Sequence, residues 1–212
     1  MMAEPIDSGT RVSFGGNVFE DRPAIAAAMM GLVSKCSELD YRWGVVLAEI
    51  LEAEASAGVA MFNAVENVTA KGRLLTAAGQ KRLDKPHQKL LFRLMKDSIS
   101  ARSLRNDVAH GQWGGIAGDQ DGVVLGDGKW ASEAVAGLLA RAHGVETLLG
   151  SLPSQLRLVR YTVDDFTDAT NKIGALIERQ LELVDSFKTY RSGVRSSLRA
   201  LTHVPKAGAG TA

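Results

Sequence analysis

The segment Arg105-Asn106-Asp107-Val108-Ala109-His110-Gly111 gathers a permanent cation, a carboxamide, a carboxylate and an imidazole into six positions. These residue types suit phosphate chemistry. Arginine offers a planar fork to phosphate oxygens and stabilises charge that builds on a phosphorane. Histidine takes or gives a proton near neutral pH. At about 100° per residue, Asn106 and His110 share one face of a helix, whereas Arg105 and His110 lie roughly 140° apart. Arg105 must therefore reach around the helix, or a second subunit must complete the site. The same residues also suit a plain helix end, where a protonated histidine is favoured by the helix dipole.

Little else in the chain carries a chemical signature. The four histidines, His87, His110, His143 and His203, form no pair at helical spacing, and no His-Glu-x-x-His occurs. Neither a metal nor a cofactor is expected. Asp119-Gln-Asp121-Gly122 has two of the acids of a calcium loop but lacks its other ligands and closing glutamate, so it reads as a turn. The segment from Lys81 to His110 is locally basic, with Lys81, Arg82, Lys85, Lys89, Arg93, Lys96, Arg102 and Arg105 against Asp84, Asp97 and Asp107. An RNA surface has this character, and so does a solvated helix face. Lys96 and Arg102 are the candidate phosphate contacts. Trp113 is a candidate for stacking on a base, with a core position as the competing reading.

These residues must be positioned by helices. The 212-residue chain is 45% hydrophobic and 23% charged, with a net charge of +1. That balance excludes a chain that is basic throughout, and the apolar fraction is too high for a disordered one. A single cysteine, Cys36, excludes an intramolecular disulfide. No stretch approaches the roughly 18 apolar residues of a membrane span. No export signal is read, so the expected compartment is the cytoplasm, with no membrane partner.

Residues 1–22 read as an irregular arm with a short strand near Arg11–Phe14. Asp21 and Pro23 open a helical stretch that runs to about Leu83 in three or so helices, with Gly58, Gly72 and Gly79 as breaks or close contacts. Asp84-Lys85-Pro86 starts another helix that should stop at Gly111. Residues 111–128 hold seven glycines and one short strand, Val123–Leu125. A helix over 131–149 follows, then a strand through Val159–Tyr161 able to pair with Val123–Leu125. A last helix spans 164 to about 190, and 191–212 reads as a flexible basic tail. The fold expected is mainly α: a single helical-bundle domain over 23–190, with a small β-hairpin and loop insertion at 112–162.

The heptapeptide, set in this helical pattern, resembles the Arg-x(4–6)-His signature of HEPN domains, in which a polar residue often follows the arginine as Asn106 does. The resemblance rests on that motif and a compatible four- or five-helix bundle, and does not extend to the 112–162 insertion. It implies metal-independent cleavage of RNA, in which the ribose 2′-hydroxyl attacks the neighbouring phosphorus and leaves a 2′,3′-cyclic phosphate. His110 would be the general acid or base, Arg105 the phosphate clamp, and Asn106 an orienting group. Such sites commonly form across a homodimer. A toxin or defence effector with an antitoxin protein as partner is one form of this reading. A non-catalytic module that binds a nucleotide or a protein is the alternative. Some HEPN toxins carry a modifiable tyrosine two positions after the histidine. Here Gln112 takes that place, which argues against that form of regulation.

Overall fold

The structure, a computed structural model, describes residues 4–6, 12–14, 18–126 and 158–202. The helix expected over 131–149 and the C-terminal residues from 203 lie outside them. The described residues form a mainly α fold of five helices with one small antiparallel sheet. The elements in chain order are β1 (Glu4–Pro5), β2 (Val12–Phe14), α1 (Pro23–Leu51), α2 (Ala55–Asn63), α3 (Val68–Arg82), α4 (Lys85–His110), β3 (Gln112–Ile116), β4 (Gly122–Gly126), β5 (Val159–Thr162) and α5 (Val163–Thr202). None of the described helices is long and apolar enough to cross a membrane.

The chain clusters into two compact units. The first comprises residues up to 38 together with 98–175, and the second 39–97 together with the residues from 176 onward. In the first, the sheet order is β1-β5-β4-β3-β2. The β4–β5 register sets Val123 opposite Tyr161 and Leu125 opposite Val159, which is the pairing expected from the apolar runs. Two features differ from expectation. Beside β2, which falls where a short strand was expected and pairs with β3, Glu4–Pro5 supply a further strand, β1, on β5. Residues 112–116, read as glycine-rich loop, form β3. A Cβ at Gly115 would stand 3.0 Å from the Arg22 guanidinium, a tight contact; pairing with β2 and β4 rather than local propensity makes this segment a strand. The β3–β4 turn passes through Gly118 at φ +81°. The core of this unit comprises Ile25, Met29, Leu32, Leu104, Val123, Val124, Phe166 and Ile173.

The second unit is helical. Along α1, Leu39, Trp43, Val46, Leu47 and Ile50 are buried at steps of three and four, as an amphipathic helix requires. The helix ends at Glu52, a non-glycine residue at φ +57°, where the Ala53 N–H reaches back to the Ala48 carbonyl at 2.9 Å. Gly58 is not a break but a close approach of α2 to α1, since a Cβ there would stand 2.4 Å from that of Ala48. Asn67 caps α3 by accepting from the Thr69 and Ala70 N–H groups at 2.8 and 3.2 Å. Gly79 makes room for Leu91.

The last helix outruns its expected end near 190 and continues to Thr202. Arg191, assigned from sequence to a flexible tail, is held: it pairs with the Glu49 carboxylate at 2.7 Å and donates to the Glu49 carbonyl. A basic residue at a predicted tail boundary thus has a partner 142 positions away, which local sequence does not reveal.

Candidate functional site

The heptapeptide forms the last turn and a half of α4, within the first unit. The helix runs unbroken from Lys85 to His110. It starts where Asp84 accepts the His87 N–H at 3.0 Å, and it stops at Gly111, as the sequence predicts. What requires a glycine at this end is steric. The φ of Gly111 is not positive. A Cβ there would meet Leu125 Cδ1 at 2.2 Å and the Asp107 carbonyl oxygen at 2.4 Å. The Gly111 N–H closes the turn on that same oxygen at 2.7 Å.

Trp113 fastens the turn to the sheet. Its indole N–H donates to the Val108 carbonyl at 3.4 Å. Its ring lies 5.7 Å from Tyr161, 5.9 Å from Phe166 and 6.4 Å from Phe19. Trp113 is half-buried, with its ring set in this aromatic cluster. Burial pushes the Tyr161 phenol above its usual range, and the charges of Asp107 and Asp165 push the same way. Desolvation likewise raises the Asp107 carboxyl. Asp107, which the HEPN resemblance leaves without a role, thus lies near enough to the sheet for its charge to reach Tyr161.

Asn106 and His110 are both exposed. Four positions apart on a continuous helix, they share a face. The His110 side chain makes no hydrogen bond or ion pair among the described residues, so packing gives no account of it. Arg105 is half-buried and donates to the Asn106 side-chain oxygen at 3.4 Å. The helix keeps Arg105 about 140° from His110, so one chain brings together Arg105 with Asn106 and Asn106 with His110, but does not close all three around one point. Arg102 is half-buried, and Lys96 is exposed in the second unit.

Chemistry-bearing residues elsewhere are engaged in structure. Asp119 accepts from Arg160 through both oxygens, at 2.7 and 3.2 Å, and takes the Asp121 N–H at 3.0 Å. Its carbonyl receives Arg22 at 2.6 Å. The Arg160 hydrogen bonds hold the Asp119 carboxyl below its usual range. The Asp-x-Asp-Gly turn is therefore a strut of the sheet, as its sequence indicated. His87 faces Asp84 through Nδ1 at 2.6 Å and packs on Phe187 and Tyr190, a pairing at a helix start that a search for histidine pairs passes over. A cleft of about 450 Å³ opens where α1 and α5 begin, lined by Arg22, Gln120, Asp121 and Asp164 among others. Its lining includes none of Arg105, Asn106 and His110. No group of three or more His, Cys, Asp or Glu side chains among the described residues is placed to hold a metal.

No family model matches this chain, and neither does any curated protein or solved structure.

Proposed function

We propose that the chain is a metal-independent endoribonuclease of HEPN type that acts as a homodimer. The observation that carries this reading is the end of α4. There an exposed imidazole and carboxamide share one face of a turn that Gly111 and Trp113 join to a sheet. Preorganised polar groups that have no packing role are what catalysis uses. In this reading His110 takes the proton of the ribose 2′-hydroxyl. The 2′-oxygen bonds to phosphorus, the bond from phosphorus to the 5′-oxygen breaks, the leaving oxygen takes a proton from a solvent water, and His110 returns its own proton to solvent. A phosphate lies against Arg105, and Asn106 orients it. Because the 140° offset sets Arg105 apart from His110 on one chain, Arg105 of one protomer serves His110 of the other. A toxin or defence role, with an antitoxin protein as partner, is the biological form we assign to it.

Mixing tests the composite site. Arg105→Ala and His110→Ala homodimers should each be inactive on RNA in EDTA. Their mixture should recover about a quarter of wild-type activity, since half the dimers are mixed and each of these has one intact site. No recovery between two folded variants overturns the composite site. The hydrogen bond between Arg105 and Asn106 favours a second reading, a non-catalytic module that binds a nucleotide or a protein. A nucleotide-dependent rise in Tm without any cleavage would identify it.

A further inference from the structure

In the first unit, the cleft of about 450 Å³ where α1 and α5 begin gathers hydrogen-bond donors that lack acceptors. The first N–H groups of a helix have no partner within it. Two helices open on this one cleft, with Ala24 of α1 and Val163 of α5 in its lining, and both helix dipoles are positive at that end. Arg22 lines the cleft as well and is only 9% exposed. Its guanidinium donates to the Val18 and Asp119 carbonyls at 3.3 and 2.6 Å, which leaves the buried Nε–H without an acceptor. A buried donor in that state costs free energy until an acceptor meets it.

The same cleft carries the exposed carboxylates of Asp21, Asp121 and Asp164, none of which has a hydrogen bond or ion pair among the described residues. A phosphate dianion would meet these three as like charges. A ligand that is only cationic would meet Arg22 and two helix N-termini as like charges. A small molecule that carries both signs a few bonds apart satisfies both sets, and the cleft has the size of a small-molecule site. We propose that it binds a free α-amino acid, whose carboxylate accepts from Arg22 and the helix N-termini and whose ammonium donates to the aspartates. This site is separate from the cleavage proposed at His110 and requires no activity.

The test is thermal unfolding of the full chain with each of the standard L-amino acids in turn, followed by titration calorimetry of those that stabilise it. A binding amino acid should raise Tm by about 5–10 °C at roughly 100 times its Kd. Its N-acetyl derivative keeps the carboxylate without the ammonium, and its carboxamide keeps the ammonium without the carboxylate. Both should leave Tm unchanged. The double substitution Asp121→Asn/Asp164→Asn should weaken binding about tenfold or more, because charge-assisted hydrogen bonds to the ammonium are lost. A control substitution, Glu182→Gln, exposed in the second unit, should bind as wild type does. The proposal is overturned if no amino acid raises Tm, if either derivative binds as tightly as its parent, or if the folded double variant keeps wild-type affinity. RNA cleavage by His110 is unaffected by any of these results, so the two readings fail separately.

Discussion

Replacing Gly111 by alanine should both destabilise the protein and misplace His110. The new Cβ would stand 2.2 Å from Leu125 Cδ1 and 2.4 Å from the Asp107 carbonyl oxygen, where ordinary contacts begin at 3.4 Å. Leu125 is a half-buried side chain and can turn aside at modest cost. The oxygen is backbone in the last turn of α4 and can withdraw only if that turn opens by about 1 Å, which loosens the 2.7 Å hydrogen bond from the Gly111 N–H. Losing that bond costs about 1 kcal/mol, and overpacking adds roughly 1–3 kcal/mol. A net loss of about 2–3 kcal/mol corresponds to a fall in Tm of roughly 5–10 °C for a chain of this size. Thermal unfolding followed by circular dichroism measures it, and the RNA-cleavage rate should fall further than stability alone accounts for. A variant that melts within a degree of wild type would refute the steric account of Gly111.

Other expectations follow from the same geometry. Trp113→Phe should cost about 1 kcal/mol by removing the hydrogen bond to the Val108 carbonyl. Trp113→Ala should cost about 3 kcal/mol by emptying the ring cluster; equal melting of the two variants would show that the rings contribute nothing. Asp119→Asn should cost about 2 kcal/mol at pH 7, because it weakens charge-assisted bonds to Arg160. The folded-state pKa of Asp119 is depressed, chiefly by Arg160, so its stabilisation is present above the ordinary carboxylate value near 3.9 and is lost as pH falls through the folded value. The gap between wild type and variant in urea unfolding should therefore close below about pH 4. A gap that stays constant down to pH 2 would contradict that assignment.

The motif-bearing helix was the most legible part of the sequence. Asp84, Pro86 and Gly111 mark both ends of α4, although Gly111 acts through its missing Cβ rather than through a left-handed turn. The end of α1 was less legible, because the chain breaks at a glutamate at φ +57° where no glycine or proline marks it. β3 was hidden because Gly114 and Gly115 weaken its local propensity, and its strand form depends on β2 and β4. The ring contacts of Trp113 likewise depend on Tyr161 and Phe166, about fifty residues away. At the candidate site, residue types and angular spacing could be read directly. The hydrogen bond that sets Arg105 against Asn106 could not, because it depends on rotamers that spacing does not fix.

The most direct measurement is cleavage of a fluorescent RNA by the purified protein in EDTA, with His110→Ala alongside. Wild type should release fragments ending in 2′,3′-cyclic phosphate, and His110→Ala should be slower by about 10²–10⁴-fold at an unchanged Tm. Cleavage by His110→Ala at the wild-type rate, or an intact dimeric wild type that cleaves no RNA, would contradict the ribonuclease reading.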